Sequence, residues 1–426
     1  MFESIRNISL LAVSDGARVL RGQACPAALA AAFPDADGVA QEGVSYDAIL
    51  GLRPDNGNTL SPSGVTIRIG RKRAGEARCF VILPSLERPR MALPLDSQQF
   101  YRAGLMAMRP KTVSKRILHR IAVALGTSFV SGDIVSVRGP GIPPIDQIAR
   151  QFDSEARAVA LLFGASENMN TAVIKILTPR GPVFAKLGRG AESDKGVLNE
   201  ANILGKLAER PLEHGLTPAV LGIESFAGKP VLYLGEATRR ASRHILARNW
   251  ERVIPLVIEL ARYGGEAGTI GDSAVGQRVA HWLSRHPDPE LENAWQSVLA
   301  RIGDRRLPLG LGHGDFTPWN IFEDARGLTV LDWEGASERT PPGQDLARFL
   351  MANALDLHLR PVQWKMLERP FARFLSGLDL AQDLAAPLVI CHLVDYILVC
   401  MRVAGMDANL VRSSRQTLNH FMANIA

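Results

Sequence analysis

The chain has 426 residues, 46% of them hydrophobic and 22% charged, with a formal net charge of +6. That length allows a large core and two or three domains, and the composition is ordinary for a soluble globular protein. A mild basic excess favours anionic ligands in general. Without a dense Lys/Arg tract interleaved with aromatics, it argues against nucleic-acid binding.

The four cysteines, Cys25, Cys79, Cys391 and Cys400, form no CxxC pair. Neither a disulfide framework nor a zinc site is therefore expected, and a reducing cytoplasm fits best. The opening "MFESIRNISLLAVSDG" carries an apolar run too short for a signal peptide, flanked by Glu3 and Asp15.

In chain order, the first stretch mixes short apolar runs with turn signals such as "RPDNGNTLSPSG" (53–64). "VTIRIGRKR" alternates as a strand does, and "ARCFVILPS" is a short apolar strand. "VSKRILHRIAVAL" (113–125) predicts a helix with Val113, Ile117, Ile121 and Leu125 on one face. The Pro- and Gly-rich "VRGPGIPPID" (137–146) is the best linker. An N-terminal α/β domain is expected over residues 1–148.

Beyond the linker, "AVALLFG" (158–164), "TAVIKIL" (171–177) and "PVFAKLG" (182–188) predict three strands, the last two joined by the turn "TPRG". A helix follows over 193–210, with Val197, Ala201, Leu204 and Leu207 on one side, then strands in "AVLGIES" and "PVLYLGEA". Residues 149–237 thus form a small antiparallel sheet lobe. Residues 238–426 read as a mainly helical lobe in which "LTVLDW" (328–333) is an isolated strand. The apolar "PLVICHLVDYILVCMRV" (387–403) carries His392 and Asp395 and is short for a membrane span, so a buried helix is expected. A sheet lobe beside a helical lobe implies a cleft, where ligands usually sit.

The chemistry concentrates in "LGHGDFTPWNIF" (311–322) and in "LDWEG" (331–335). Phosphoryl transfer from a nucleotide needs a carboxylate to accept a hydroxyl proton, oxygen ligands for magnesium, and a cation on the phosphates. Asp315 and Asn320 lie five apart, and Asp332 ends a strand seventeen residues after Asp315. An amide oxygen and a carboxylate suit a hard cation.

"HGDFTPWN", "LDWE" and "GQDLARF" (343–349) together resemble the catalytic and metal-binding motifs of the aminoglycoside phosphotransferase/choline kinase family, small-molecule relatives of protein kinases. The resemblance implies an α+β, two-lobed protein-kinase-like fold, here with the N-terminal domain added, and an ATP- and magnesium-dependent phosphotransferase. It implies that Asp315 is the catalytic base and that Asn320 and Asp332 are the metal ligands. His313, placed with the catalytic group, and Asp345 hold the loop in shape.

The resemblance further implies that Lys186 grips the phosphates and pairs with Glu200. Lys175 is a rival that falls one strand too early. "FGASENMNTAV" (163–173) lacks GxGxxG, but Gly164, Ser166 and Asn170 offer a turn and hydrogen bonds over the phosphates. Gly235 and Glu236 belong to the hinge that meets the adenine.

Other positions keep two readings. Glu334 approaches the metal or caps the next turn. Trp319 and Trp333 are expected to pack. His392 and Asp395 form a core pair or line the acceptor pocket.

The acceptor is expected to be a small molecule, a sugar or a lipid-linked glycan. Acids and bases after residue 350 are balanced, which argues against a polycationic aminoglycoside. "FVILPSLERPRMALPL" (80–95) and "AGLMAMRPKTVSKRILHRIA" (103–122) resemble leaders of kinase-like proteins of surface-polysaccharide synthesis. Lys111, Lys115, Arg116, His119 and Arg120 lie opposite the apolar face of the 113–125 helix, which suits an anionic membrane surface or merely solvent. A catalytically silent kinase-fold binding protein is the alternative function.

Overall fold

A computed structural model describes residues 19–21, 35–37, 46–50, 60–69, 78–85, 89–106, 113–128, 130, 132–138, 142–163, 171–238, 242–402 and 408–425. The chain divides into two compact units, residues 1–197 with 220–236 and residues 198–219 with 237–426.

Among the described residues the first unit is built on one sheet of 11 strands. In chain order these are β1 (Val19–Arg21), β2 (Tyr46–Leu50), β3 (Leu60–Ile69), β4 (Arg78–Leu83), β5 (Met91–Pro94), β6 (Asp133–Arg138), β7 (Arg157–Phe163), β8 (Thr171–Thr178), β9 (Gly181–Gly188), β10 (Val220–Phe226) and β11 (Lys229–Gly235). The spatial order is β1-β2-β3-β6-β4-β5-β7-β8-β9-β11-β10. The pairs β1–β2 and β2–β3 are parallel and the rest antiparallel. Helices α1 (Gln98–Leu105), α2 (Val113–Leu125) and α3 (Pro144–Phe152) accompany the sheet.

Alternation along β4 serves two cores at once. Phe80 and Ile82 enter a cluster with Leu161, Ile174, Ala185 and Tyr233, while Cys79 and Val81 enter another with Leu93, Tyr101 and Leu105. A strand buried on both faces reads as the continuous apolar run "CFVIL".

The domain boundary expected at 148 falls inside α3. On either side of it β5 and β7 pair through Met91↔Leu162 and Ala92↔Leu161, so the N-terminal stretch and strands β7 to β11 share one sheet. The Pro/Gly composition of 137–146 marks a local change of direction. Strand pairing is a backbone matter and ignores it. The hairpin expected at "TPRG" is present: Thr178 pairs with Gly181, and the Thr178 hydroxyl donates to the Gly181 carbonyl at 2.8 Å.

The second unit is mainly helical. Helix α4 (Ala191–Glu209) runs from the first unit's residues into it. It continues with α5 (Ile254–Arg262), α6 (Ala274–Leu283), α7 (Pro289–Ile302), α8 (Gln344–Ala352), α9 (Lys365–Gly377), α10 (Ala385–Arg402) and α11 (Ala408–Ile425). Caps set the starts of two of them: Ser273 Oγ accepts from Gly276 N at 3.0 Å, and Asp288, followed by Pro289, accepts from Leu291 N at 3.2 Å. Helix α10 is the core of the unit, with Leu388 through Val394, Ile397 and Leu398 buried. The stretch 382–402 is long and apolar enough to cross a membrane, yet 72% of its most apolar window is buried inside the protein.

"LTVLDW" is not an isolated strand. Residues Gly327–Val330 (β16) pair antiparallel with Ile321–Asp324 (β15) across a two-residue turn, with Asp324 opposite Gly327. Arg243–His244 (β12) pairs with β15, and Leu307–Gly312 (β14) lies between Glu266–Gly268 (β13) and Ser337–Thr340 (β17). Strands this short show little periodicity, which is why the sequence pattern passes over them.

Candidate active site

The loop 313–320 leaves β14 and enters β15, and Asp332 follows β16 by two residues. The β15–β16 hairpin therefore brings the far end of the loop beside Asp332: Leu331 N donates to Asn320 O at 2.9 Å. Sequence neighbours and hairpin partners build the site together.

His313 is fully buried. Its Nε2 lies 2.9 Å from Leu331 O, and its Nδ1 lies 3.2 Å from Asp315 N. A carbonyl only accepts and a peptide N–H only donates, so the ring is the neutral Nε2–H tautomer with both nitrogens committed. His313 thus shapes the loop and has no nitrogen left for proton transfer.

Asp345, in the first turn of α8, accepts from His313 N at 2.9 Å and Gly314 N at 3.4 Å. Burial pushes its carboxyl above the usual carboxylate range, against the pull of the two backbone donors. Gly314 has φ +84°, and a Cβ there would lie 2.1 Å from Gly335 O, so only glycine fits.

Asp315 is the open member of the loop, its side chain 41% exposed. Asn320 Nδ2 donates to Asp315 Oδ2 at 3.0 Å and to Asp315 O at 3.0 Å. That orientation leaves the amide oxygen of Asn320 for a cation. Asp332 sits in the left-handed region at φ 70°, ψ 63°, an uncommon conformation for a non-glycine residue of the kind functional sites hold. Ligand oxygens of Glu200, Asp332 and Glu334 lie within 4.8 Å of one another. An all-oxygen donor set of this charge fits magnesium.

Of the two readings for Glu334, its carboxylate joins this cluster, while its backbone carbonyl accepts from Asn199 Nδ2 at 3.1 Å. Glu200 is buried, and its Oε1 accepts from Trp333 N at 3.1 Å.

In the first unit, Lys186 on β9 is buried and opposite Val173 and Leu232. The rival Lys175 is opposite Phe184, two positions along both strands, so the two lysines share one sheet face. Lys175 Nζ lies 3.7 Å from Glu236 Oε1 and 5.7 Å from the Phe184 ring centroid. Gly235 ends β11, opposite Val183. Gly164, Ser166 and Asn170 lie outside the described residues.

Trp333 is fully buried and packs, with its Nε1 donating to Val330 O at 3.1 Å. Trp319 is half-buried, 6.0 Å from Arg348 Cζ. His392 and Asp395 do not pair with each other. Asp395 receives both Nε (3.0 Å) and Nη2 (2.8 Å) of Arg278, and His392 Nδ1 lies 3.3 Å from Gln344 Oε1. Burial and, behind it, Arg348 push His392 down to about 3.

Sequence reasoning missed Arg348, Asp356 and Tyr396. Arg348 Nε and Nη2 both donate to Asp315 Oδ1, at 3.1 and 2.9 Å, and Nη2 reaches Asp356 Oδ2 at 2.7 Å. Tyr396 donates its hydroxyl to Asp356, and its ring lies 4.8 Å from Arg348 Cζ. The one available signal was "DLAR": three residues after Asp345, Arg348 emerges close to the same face of the helix.

Residues 165–375 match the model of the phosphotransferase enzyme family. Over those residues the chain is similar to this family, the one its motifs resemble, and its α+β architecture joins a sheet-based unit to a mainly helical one. Similar solved structures include an aminoglycoside 2'-phosphotransferase in complex with GDP (13% identity, TM-score 0.44, 65% of this chain and 97% of that one). Others are a microcompartment-associated aminopropanol kinase (15%, 0.43, 65% and 95%) and a choline/ethanolamine kinase family protein from Mesorhizobium loti (12%, 0.41, 64% and 89%). No match was found among curated protein sequences.

Proposed function

We propose that this phosphotransferase is an ATP- and magnesium-dependent kinase acting on a hydroxyl of a small molecule or glycan. The observation that carries the reading is the state of Asp315. Its side chain is 41% exposed and accepts from the Asn320 amide, and Asn320 in turn is tied through its carbonyl to Leu331, the residue before Asp332 of the carboxylate cluster.

In the reaction, Asp315 accepts the hydrogen bond of the acceptor hydroxyl and orients its oxygen. A bond forms from that oxygen to the γ-phosphorus as the bond from phosphorus to the β–γ bridging oxygen breaks. ADP leaves with that electron pair, and the hydroxyl proton goes to Asp315. Magnesium held by Asn320 Oδ1 and Asp332, with Glu334 beside them, would supply neutralisation of phosphate charge. The family resemblance would give Lys186 the task of gripping the phosphates with Glu200 as its partner, Gly164, Ser166 and Asn170 the phosphate loop, and Gly235 and Glu236 the hinge to the base.

The aminoglycoside, aminopropanol and choline/ethanolamine kinases among the similar structures support a small hydroxyl-bearing acceptor; a lipid-linked glycan of surface-polysaccharide synthesis is the narrower proposal. Among the described residues Cys79, Cys391 and Cys400 are buried and in no disulfide, which supports a cytoplasmic site. Helix α2 supports peripheral membrane contact: Ile117, Leu118, Ile121 and Leu125 are 44–56% exposed, while Ala122 and Val123 pack inward.

ADP release from MgATP with a panel of amino alcohols, sugars and glycans tests the reading. Asp315→Asn is expected to cut turnover by about 100- to 10,000-fold, the usual worth of a general base, while MgATP still binds. Equal turnover in wild type and variant would leave the silent, binding-only alternative.

A further inference from the structure

Resting on that kinase reading, we propose that Arg348 is a positioning residue that clamps the catalytic base, aiming one lone pair of Asp315 at the acceptor hydroxyl. An ionised carboxylate has about four lone-pair directions. Two on Oδ1 are taken by Arg348 Nε and Nη2, and one on Oδ2 is taken by Asn320 Nδ2. The direction left open is on Oδ2. A carboxylate held by one oxygen would swing about its Cβ–Cγ bond; held on both, it presents a single acceptor direction.

The clamp is itself locked. The Arg348 side chain is only 12% exposed, against 41% for the Asp315 it holds, so the cation lies beneath the base. Its Nη2 is also held by Asp356, which Tyr396 in turn grips through its hydroxyl. Tyr396 lies against the guanidinium at 4.8 Å and Trp319 at 6.0 Å, so aromatic contacts restrict rotation of its plane. His392 is stacked on Tyr396 at 13° and 5.9 Å.

Asp356 reaches the guanidinium from residues 353–357, a π-helical turn that continues α8. Such turns insert one residue and re-aim a side chain, and they recur at functional sites. The network therefore runs from the buried helix α10 to the reacting carboxylate. It needs the planar fork of arginine, because a lysine ammonium cannot present two donors to one oxygen and a third to another acid.

The test compares wild type, Arg348→Lys, Tyr396→Phe and Asp315→Asn, using whichever panel acceptor turns over, or water as acceptor if none does. A misaimed general base costs on the order of 100-fold, so Arg348→Lys is expected to lower kcat about that much while the MgATP Kd stays within about twofold. Tyr396→Phe, which keeps the ring and removes only the hydroxyl, is expected to lower kcat less, again at unchanged Kd.

Wild-type kcat in Arg348→Lys overturns the clamp. So does a loss of kcat matched by an equal loss of MgATP binding, which marks a structural role. Should Arg348→Lys fail to fold, Tyr396→Phe decides, and an unchanged kcat there overturns it too. Full activity in Asp315→Asn overturns the kinase reading, and the clamp with it.

Discussion

His313, Asp315 and Asn320 have separate tasks in the 313–320 loop, and hydrogen-bond valence assigns them. His313 spends both nitrogens on backbone, Asn320 spends its amide donors on Asp315, and the Asp315 side chain is 41% exposed. His392 shows the opposite situation, a titratable group sealed in apolar surroundings. Burial first, and then the nearby Arg348 charge, hold it at about 3 against an ordinary 6.5. Unfolded chain therefore binds a proton that folded protein refuses, so stability is complete above pH 6.5 and declines as the pH falls from there towards 3. Thermal denaturation across that range is expected to show a lower Tm at each acid step in wild type. His392→Gln, which cannot titrate, is expected to show a shallower decline; parallel curves for the two proteins would contradict it. Arg348, the lesser of the two causes, is the same arginine that holds Asp315.

Single elements carry the next level. The β15–β16 hairpin converts a gap of eleven residues into contact between Asn320 and Leu331, and so brings the end of the loop to the residue before Asp332. Helix α10 passes every compositional test for a membrane span yet is buried, with its one acid neutralised by the Arg278 fork. Helix α2 departs from burial in the other direction. Its Ile117, Leu118, Ile121 and Leu125 are outward, His119 turns inward to lie 2.8 Å from Leu105 O, and Arg120 remains exposed. An exposed apolar stripe binds a bilayer through the area it buries, and the exposed Arg120 adds a positive charge that favours anionic lipid. Wild-type protein is expected to co-sediment with phosphatidylserine vesicles, less with neutral ones, and Ile117→Ser/Ile121→Ser is expected to stay in the supernatant. Wild type that fails to sediment with either vesicle would refute membrane contact.

For the whole molecule, folding and ligand binding are linked. A ligand that binds only the folded chain adds about 2.7 kcal/mol at 100 times its Kd, so saturating MgATP is expected to raise Tm by several degrees. Asp332→Asn is expected to abolish most of that rise with MgATP. No rise in wild type at millimolar MgATP would remove the nucleotide site itself.

How far the sequence reaches depends on the distance over which each feature is decided. The loop 313–320 was legible because its residues are held largely by their own backbone, and the helices because burial of one stripe leaves a period of 3.6. The short strands were not legible, since four residues hold too little pattern. The sharing of one sheet across residue 148 was not, since backbone pairing writes nothing into composition.

By itself the sequence determined the chemistry available: a carboxylate, an amide and a second carboxylate at a spacing that suits phosphoryl transfer. Only the tertiary structure decided how the base is aimed. Arg348, Asp356 and Tyr396 lie 33, 41 and 81 residues beyond Asp315. Nothing local links them, and the packing of α10 against α8 brings them to one carboxylate.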